Sequence, residues 1–499
     1  MIWKLNLYRL LIIFAQFIFI SCFFVGISFL IYNINSNYVH LFIWTNYLLN
    51  VVMVLVIAFQ KRNSQIKLSW LFLMIILPIF SVAIFFTLGK IKPNKNELKV
   101  IEEDSYNLNK IDQIDKIKSN NSVLNQLKNI TDNTLFNADY KFYEEGYRFY
   151  DSLEKNIKNA KKSILIITYI IKKSEISREF IDLIKSKAKE GLEIKWLIDD
   201  FGAFPKLKKE LKKLNKVGVK VHFIAKIYYP FITHKSFYRN HQKFIIIDSK
   251  KVFSGGNNIS DEYASLSPKY GHWIDLNYKI TGEYVNAYNI HFIKFWEIVT
   301  REKLDINNYI HKFNKEQKGQ NESILIFDSP SCDYSNAERV WIKLFSQAKK
   351  SIKIATPYFS ITEAMFKEIV LALKNNIDVT IFFPGLPDKK LVYKVGLWQI
   401  KQLVELGMKV KIYNDHFLHS KSGVIDDEIA WVGTSNLDAR SMFSQYETMD
   451  IISGPSVKSI IYIFNEYKKN STDIQNNHEL MKKGTIFERF FFIWTSPTI

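Results

Sequence analysis

The chain has 499 residues, 47% of them hydrophobic, a composition typical of globular proteins and a length sufficient for two or three domains. Its formal net charge of +19 favours an anionic partner such as acidic lipid, nucleic acid or a phosphate substrate, although a lysine-rich composition bias would give the same sum. The two cysteines, Cys22 and Cys332, form no CxxC or Cys/His pattern, which excludes a disulfide framework and a zinc module.

Three apolar segments open the chain, at residues 8–32, 41–59 and 68–89. Each is near the length that a helix needs to cross about 30 Å of hydrocarbon at about 1.5 Å per residue. A cleavable signal peptide has a shorter apolar core and a small-residue cleavage site, and further apolar segments do not follow it. We therefore predict that residues 1–89 form an N-terminal membrane anchor of two or three apolar segments.

The basic residues around these segments bear on topology. They precede the first segment, separate the second from the third and follow the third, whereas residues 33–40 contain none. Three crossings would divide them between both sides of the membrane. Two crossings, with the third segment re-entrant or interfacial, would place them all in the cytoplasm, which the positive-inside tendency prefers. Pro78, in the middle of the third segment, is compatible with a broken helix.

Strand and helix signals alternate after a Lys/Asn/Asp-rich stretch, residues 90–135, which is typical of a linker. Apolar runs alternate with a helical pattern as far as residue 300, so we expect a first domain over 136–300. The predicted elements are a strand at 163–171, a helix at 176–191, and strands at 193–199, 220–225, 241–248 and 273–282.

The same order of elements begins again after a polar linker at residues 301–321. The alternation predicts an α/β sheet with helices on both faces. A repeat of this length is too long for a solenoid, so two fused, similar domains fit better, the second over 322–499. Its predicted elements are strands at 323–330, 351–359, 378–385 and 409–415, with helices at 337–350, 362–374 and 390–406.

One polar pattern occurs once in each half. "HQKFIIIDSKKVFSGGNN" begins at His241 and "HSKSGVIDDEIAWVGTSN" begins at His419, and both read H-x-K-x4-D-x6-G-x-x-N. A single copy could arise by chance, but a second copy with the same offsets makes coincidence a poor explanation. The other histidines lack the pattern and are expected on the surface, in the core or in loops. The matched residues are His241, Lys243, Asp248, Gly255 and Asn258 in the first copy, and His419, Lys421, Asp426, Gly433 and Asn436 in the second.

Two such sets brought together can catalyse phosphoryl chemistry. One neutral imidazole can attack phosphorus and form a phosphohistidine, while the other, protonated, gives its proton to the leaving alkoxide. Lysine and asparagine side chains can hold the non-bridging oxygens as charge develops on them. This chemistry needs neither a metal nor another cofactor. The duplication therefore predicts that each half supplies half of one active site.

The two motifs resemble the paired HKD motifs of the phospholipase D superfamily. The phrases "RNHQKFIIID", "GGNNISDEY", "WIDL", "ATPYF", "FLHSKSGVIDD" and "VGTSNLDARSMFSQYE" extend the resemblance to bacterial cardiolipin synthases. This resemblance implies two phospholipase D-like α/β sandwich domains that share one active site. It also implies that two phosphatidylglycerols give cardiolipin and glycerol without a metal. The N-terminus departs from the family by one apolar segment more than the usual two, which leaves the topology open.

The resemblance assigns roles to particular residues. It implies that His241 and His419 are the nucleophile and the acid/base, with a preference for His241 as nucleophile. In the superfamily a carboxylate downstream of each motif orients a catalytic histidine. Glu447 stands at that place in the second half, and Asp275 is the candidate in the first, where it could equally be an ordinary strand-end carboxylate.

Two further sets complete the predicted site. Asp248 and Asp426 belong to the motifs, but we expect them to hold loops by hydrogen bonds rather than to touch phosphate. The implied phosphate ligands are Lys243, Lys421, Asn258 and Asn436.

Three functions remain open at this stage. A synthase passes the phosphatidyl group to an alcohol, a membrane-bound phospholipase D-type phosphodiesterase passes it to water, and a binding protein would have a dead site. The anchor favours phospholipids and the bilayer, rather than nucleic acid, as partners. We expect a multi-pass protein of the bacterial plasma membrane with cytoplasmic catalytic domains. Residues 487–499 are either a second membrane contact or an amphipathic core helix.

Overall fold

The computed structural model divides the chain into two compact units, which are described separately. The N-terminal unit comprises Met1–Lys92 and Lys226–Phe237, and the α/β unit comprises Pro93–Ala225 and Tyr238–Ile499. The description covers residues 22, 25–26, 28–29, 32–33 and 36–499 except 61–63, 79, 90–92, 104–105, 109–110, 112–116, 118, 204–205, 228–235, 268–270, 333, 483, 487, 489–491 and 493–499.

The N-terminal unit is helical in its described part. Helix α1 spans Ser36–Phe59, and within the described residues its Tyr38–Phe59 stretch is the one helix long and apolar enough to cross a membrane. Helix α2, Ser64–Ile76, is apolar but shorter, and the short helix α3, Ser81–Ile84, continues into a π-helical turn. The first apolar segment, 8–32, lies almost entirely outside the described residues, as does the C-terminal stretch 487–499.

The third apolar segment is interrupted at Pro78. The Pro78 carbonyl accepts hydrogen bonds from the side-chain amides of Asn50, at 2.5 Å, and Asn46, at 3.2 Å. Ser81 in turn donates to the side-chain oxygen of Asn50 at 3.2 Å. An unpaired carbonyl in apolar surroundings is costly, so these polar side chains stabilise the break that proline introduces.

The α/β unit is built on one sheet to which both halves of the chain contribute. The first half provides β1 Leu135–Tyr143, β2 Ser163–Thr168, β3 Glu193–Asp199, β4 Val219–Ile224, β5 Arg239–Asn240, β6 Phe244–Ile247, β7 Lys251–Gly255, β8 Trp273–Ile274 and β9 Asn277–Thr281. The second half provides β10 Asn321–Asp328, β11 Ser351–Ala355, β12 Phe359–Ser360, β13 Asp378–Pro384, β14 Lys409–Tyr413, β15 Phe417–Leu418, β16 Ser422–Ile425, β17 Ile429–Gly433, β18 Leu437–Asp438, β19 Gln445–Ser453 and β20 Ser471–Asp473. Four of these strands lie outside the large sheet, where β12 pairs with β18 and β15 pairs with β8.

The order of strands is the same in both halves. From the centre outwards the first half runs β1-β9-β7-β6-β2-β3-β4, and the second runs β10-β19-β17-β16-β11-β13-β14, with β20 at its edge. Strands β1 and β10 pair antiparallel where the halves meet, with Leu135 opposite Ile324. The predicted duplication is therefore a pseudo-twofold arrangement in a single continuous sheet rather than in two separate sheets.

Helices cover both faces of this sheet. The described helices of this unit are α4 Lys95–Ile101, α5 Ser122–Thr131, α6 Gly146–Lys158, α7 Glu175–Lys189, α8 Lys206–Lys213, α9 Val285–Thr300, α10 Asn336–Gln347, α11 Glu363–Lys374, α12 Lys390–Val404, α13 Ala439–Ser444, α14 Val457–Lys469 and α15 His478–Met481. The helices α6 to α8 enclose a core of the first half, α10 to α12 enclose a core of the second, and α9 and α14 lie over a core shared by both.

Local sequence explains why these elements form. Strand β2, "SILIIT", is mostly apolar, is rich in β-branched residues and is buried along its whole length, as suits a strand covered on both faces. Helix α7 begins at a capping box in which Ser174 and Ser177 bond each other's backbone N–H groups. Strand β3 has the predicted bounds, and β4 differs from the prediction by one residue at each end.

Several predicted strands need correction, among them the one expected over 351–359, which is divided into Ser351–Ala355 and Phe359–Ser360. The strand expected over 241–248 is confined to Phe244–Ile247, so the histidine and lysine of the motif precede it instead of alternating along it. The strand expected over 273–282 is divided into Trp273–Ile274 and Asn277–Thr281. The 241–248 region follows β5, which pairs with the start of the nine-residue strand β19 of the other half. The 273–282 region contains β8, which pairs with the short strand β15 of the other half.

The segment expected as a linker, residues 90–135, contains two helices. Helix α4 buries Val100, and helix α5 buries Leu124 and Leu127. Strand β1 begins at Leu135, within the expected linker. Few apolar residues stand among many lysines, asparagines and aspartates here, so the composition suggested a linker although the spacing of those few residues forms a buried stripe.

The shared core contains a buried carboxylate whose loss should destabilise the fold. Asp450 on β19 accepts hydrogen bonds from the hydroxyls of Tyr278, Tyr284 and Tyr288, which come from the first half. Asp450→Ala would leave three buried phenols without their acceptor, and we expect a loss of about 3 kcal/mol in the free energy of unfolding. Denaturant unfolding in detergent measures it.

The matched control is Asp427→Ala. Asp427 forms a half-exposed surface ion pair with Lys353, which contributes at most about 1 kcal/mol. Equal losses in the two variants would contradict a central role for the carboxylate of Asp450.

Candidate active site

Two short parallel strand pairs bring the repeated motifs together. Strand β5, directly before His241, pairs with the start of β19 in the second half. Strand β15, directly before His419, pairs with β8 in the first half. The backbone N–H of His241 donates to the carbonyl of Tyr446 at 2.9 Å, and that of His419 donates to the carbonyl of Ile274 at 2.6 Å. Each histidine is therefore fixed by a strand of the opposite half.

The residue after each of these carbonyls is a carboxylate that meets the histidine ring. His241 Nδ1 lies 2.9 Å from Glu447 Oε1, and His419 Nδ1 lies 2.5 Å from Asp275 Oδ2. All four side chains are buried. A carboxylate that accepts from Nδ1–H fixes the tautomer and leaves the Nε2 lone pair free to react. The structure thus brings Glu447 and Asp275 to the motif histidines, each one across the halves.

A difference between the two motif copies matches the difference between these carboxylates. At Gly256 an added Cβ would overlap both carboxylate oxygens of Asp275. The equivalent residue of the second copy is Thr434, whose hydroxyl donates to Glu447 Oε2 at 2.5 Å. "GGNN" therefore leaves room for an aspartate, and "GTSN" supplies a hydrogen bond to a glutamate. This pairing was not foreseen from the sequence.

The motif lysines are buried beside the histidines. Each ammonium donates to the carbonyl of the histidine in its own motif, for Lys243 at 2.7 Å. Burial lowers the pKa of Lys243 to about 7 and that of Lys421 to about 8, and the nearby carboxylates Glu447 and Asp275 oppose the shift. An ammonium has three donors, so both lysines can also bind the oxygens of a phosphate.

The histidines differ in how readily they hold a proton. Burial lowers the pKa of His241 well below its usual value, and the charges of Lys243 and Lys421 lower it further. Burial also lowers the pKa of His419, to about 4, but Asp275 opposes this shift by charge and by hydrogen bond. Both shifts favour the neutral imidazole, and the contact with Asp275 opposes the shift at His419.

Glu447 is shifted in the opposite sense to its partner. Burial raises the pKa of Glu447 to about 8, against the charge of Lys243 and the hydrogen bond from Thr434. The upward shift of Glu447 and the downward shift of His241 have the same cause, because surroundings with little water disfavour charge on either group. Binding of an anionic phosphate beside the two buried lysines would change the charge around Glu447 and His241 and therefore their pKa values.

The motif asparagines join loops beside the site. Asn258 Oδ1 accepts from the backbone N–H of Ile170 at 3.0 Å, and its amide donates to the Tyr263 hydroxyl at 2.7 Å. The side-chain amide of Asn436 donates to Ser441 Oγ at 3.2 Å. Both asparagines are buried. Their expected contact with phosphate stays a prediction.

The motif aspartates lie at the far end of their strands. The Asp248 carboxylate accepts from the backbone N–H groups of residues 161–163, at 2.7 to 3.1 Å. The Asp426 carboxylate accepts from those of residues 349–351, at 2.7 to 2.8 Å. Both aspartates adopt a positive φ of 53°. In the structure they close equivalent turns of the two halves and contact neither histidine.

An aromatic shell that sequence reasoning did not identify surrounds the histidines. Tyr169 packs against His241 with ring centres 5.0 Å apart, and the Lys243 ammonium lies 5.5 Å from the same tyrosine ring. On the other side, Trp273 packs 4.9 Å from His419 and Phe417 packs 5.4 Å from it. One signal for this shell was present in the sequence: Trp273 in "WIDL" and Phe417 in "FLHSK" stand two residues before predicted site residues. These rings contribute to the burial of both imidazoles.

Comparison with known proteins identifies the family. The family described as cardiolipin synthase, PLD-like domain, matches residues 153–293 and 341–468, and each stretch contains one motif copy with its histidine, lysine and asparagine. The chain belongs to the cardiolipin synthase family of phospholipase D-like proteins.

Relatives in this family are similar over most of the chain. Cardiolipin synthase 2 of Staphylococcus epidermidis is 32% identical over 419 residues, which cover 80% of this chain and 86% of the relative. A cardiolipin synthase of Staphylococcus aureus is 32% identical over 421 residues, covering 80% and 84%. One of Alkalihalophilus pseudofirmus is 29% identical over 449 residues, covering 87% and 88%.

A solved structure shares the fold. The phosphatidylserine synthase of Haemophilus influenzae superimposes with a TM-score of 0.54 at 19% sequence identity, over 70% of this chain and 92% of that one. The mixed α/β fold expected from the sequence is therefore confirmed as phospholipase D-like.

Gly256→Ala should reduce activity by displacing Asp275. The added Cβ would overlap the carboxylate, which must move away from His419 Nδ1. We expect a fall in kcat of about 10- to 100-fold, the range that the loss of an orienting partner or a small misplacement costs. Steady-state kinetics on lipid–detergent micelles measures it.

The control is a double-mutant cycle with Asp275→Ala. If the alanine acts through Asp275, adding Gly256→Ala to Asp275→Ala should cost little more. If the fall in kcat of the double variant equals the product of the two single falls, Gly256 acts independently of Asp275.

The lowered pKa values of the lysines predict an alkaline limit to substrate capture. Because Lys243 and Lys421 lose their charge above pH values of about 7 and 8, kcat/KM should fall from pH 7 to pH 9. A bound phosphate favours the charged lysines, so kcat should hold to higher pH. A Lys421→Arg variant, weaker overall but charged throughout, should show a flatter alkaline fall. A wild-type kcat/KM that stays constant to pH 9 would contradict the lowered pKa values.

Proposed function

We propose that this protein is a cardiolipin synthase: a phosphatidyltransferase that converts two phosphatidylglycerols into cardiolipin and glycerol. The observation that carries the proposal is the pair of buried histidine–carboxylate contacts, one from each motif, beside two buried lysines. Membership of the cardiolipin synthase family supports the same reaction.

The first step forms a covalent intermediate. His241 Nε2 attacks the phosphorus of one phosphatidylglycerol, the bond from phosphorus to the glycerol oxygen breaks, and His419 gives its proton to that oxygen. Glycerol leaves, and a phosphatidyl group remains on His241. Glu447 accepts from Nδ1–H and stabilises the positive charge that develops on the attacking ring.

The second step reverses these roles for the acceptor. His419 takes the proton from the terminal glycerol hydroxyl of a second phosphatidylglycerol, whose oxygen attacks phosphorus. The bond from phosphorus to His241 breaks, and cardiolipin is released. Asp275 holds the His419 ring and favours its protonated form, which suits a group that gives and then takes a proton.

Charge stabilisation comes from groups already in place. Lys243 and Lys421 are buried next to the histidines and would hold the non-bridging oxygens in both transition states. Asn258 and Asn436, in the loops after the motif strands, are proposed as additional ligands of the phosphate. Because these groups come from both halves, one phosphate would be held by both copies of the motif.

The surroundings favour alcohol over water as acceptor. Trp273, Phe417 and Tyr169 pack on the two histidine rings, and a buried cluster around Trp273 includes Tyr263 and Tyr358. A shell of this kind excludes bulk water, which would otherwise hydrolyse the intermediate.

The N-terminal unit supports a membrane location. The apolar helix Tyr38–Phe59 could anchor the protein beside its lipid substrates. We propose a multi-pass protein of the bacterial plasma membrane with its α/β unit in the cytoplasm. In this proposal an anchor over 1–89 and a connecting segment over 90–135 precede two phospholipase D-like domains, 136–300 and 322–499, joined by 301–321. Phosphatidylglycerol and cardiolipin are its lipid partners, and nucleic acid is not one.

Product analysis tests the reaction. Purified protein is given phosphatidylglycerol alone with a chelator, beside His241→Ala and His419→Ala, and lipids are followed by mass spectrometry. We expect cardiolipin and glycerol from the wild type and a loss of at least about 1000-fold in both variants, because each removes a reacting group. Phosphatidic acid without cardiolipin would instead identify a phospholipase D-type hydrolase.

An activated substrate tests which histidine attacks. A phosphatidyl ester of p-nitrophenol releases a phenolate that leaves without a proton, so the acid is no longer needed. We expect His419→Ala to retain a burst of nitrophenolate and a covalent lipid adduct, and His241→Ala to lose both. The opposite result would make His419 the nucleophile.

A further inference from the structure

A buried glutamate is hydrogen-bonded to the tyrosine that anchors the backbone of one of the two histidines. Glu97 belongs to the short helix α4 and is fully buried. Its carboxylate accepts from the hydroxyls of Ser331, at 2.6 Å, Tyr446, at 2.8 Å, and Ser329. Three hydroxyl donors compensate a buried carboxylate for the water that it has lost, so Glu97 is held by the protein rather than by solvent.

Helix α4 is itself fixed to the α/β unit. The backbone N–H of Asn94, which caps the helix, donates to Ser331 Oγ at 3.1 Å. On the other side, the side-chain amide of Asn96 donates to the carbonyls of Ile298, at 2.9 Å, and Glu297, at 3.3 Å. Contacts on both sides of Glu97 hold its carboxylate in place.

Tyr446 connects this carboxylate to the catalytic strand. Its hydroxyl donates to Glu97, its carbonyl accepts the backbone N–H of His241, and the next residue is Glu447. Its ring packs on Phe295 at 5.0 Å and on Phe327 at 6.2 Å. A shift of this tyrosine would therefore move both the backbone anchor and the ring partner of His241.

The connection exists on only one side of the pseudo-twofold arrangement. The equivalent of Tyr446 is Ile274, whose carbonyl accepts from the backbone of His419. Isoleucine has no hydroxyl, so His419 has no corresponding link to a carboxylate. The two histidines have similar backbone contacts, and this interaction is a further difference between them.

We propose that Glu97 is a positioning residue that, through Tyr446, holds His241 and Glu447 in the geometry for attack on phosphorus. This inference rests on the proposed function for the role of His241. Glu97 touches no reacting atom. Its effect should appear in the rate of attack and not in the proton transfer that His419 performs.

The test uses the activated p-nitrophenyl ester with the full-length protein. Tyr446→Phe removes one hydroxyl and keeps the ring, and Glu97→Ala removes the acceptor. We expect each to slow the nitrophenolate burst about tenfold, with little change in KM, and the pair together to be no slower than Glu97→Ala alone. Glu97→Gln, which retains an acceptor oxygen, should stay within about threefold of wild type.

Two controls separate positioning from general loss of structure. Glu103→Gln changes a partly exposed carboxylate just after the same helix, ion-paired with Lys303, and should leave the burst unchanged. In a His419→Ala background the burst depends on His241 alone, and Glu97→Ala should slow it by the same factor.

The outcomes distinguish the inference from the function beneath it. An unchanged burst in Tyr446→Phe and Glu97→Ala, with folding intact by thermal unfolding, would overturn the inference. Slower bursts that track the fraction of unfolded protein would also overturn it. A failure to make cardiolipin would count against the proposed reaction only, because the burst measures attack on phosphorus whatever the acceptor.

Discussion

Each motif histidine is held by the half of the chain to which it does not belong. A backbone hydrogen bond from His241 reaches the strand that carries Glu447, and one from His419 reaches the strand that carries Asp275. Two rings and two carboxylates are thereby set in one buried place. The lysines, the aromatic shell and the loop asparagines are all arranged around these contacts between the halves.

The continuous sheet holds the two halves, and so their reciprocal contacts, in a fixed geometry. Strands β1 and β10 pair at the centre, and each half continues outward with the same order of strands. Asp450, on a second-half strand, binds three tyrosines of the first half in the shared core. The halves cannot rotate against each other without breaking a sheet and a buried hydrogen-bond network, so the spacing of the active site is fixed by the fold.

The sequence predicted the duplicated site because its signal is a repeated pattern at fixed offsets. His241, Lys243, His419 and Lys421 could be found in this way, and Glu447 and Asp275 were expected near them by resemblance. The crossing of the carboxylates could not be predicted, because it depends on pairing between residues far apart in the chain. Glu97 was missed because it stands in a Lys/Asn-rich stretch whose apolar residues are few.

The exchanged contacts also constrain how the two copies could change after duplication. A substitution at Glu447 acts on a histidine encoded in the other copy, and the same holds for Asp275 and His419. Neither copy could change its carboxylate independently, because that carboxylate contacts the histidine of the other copy. The differences that did arise, Gly256 with an aspartate and Thr434 with a glutamate, are matched sets. In descendants of such a duplication, the residue after each motif glycine should covary with the carboxylate of its own half, while each histidine should be retained together with the carboxylate of the other half.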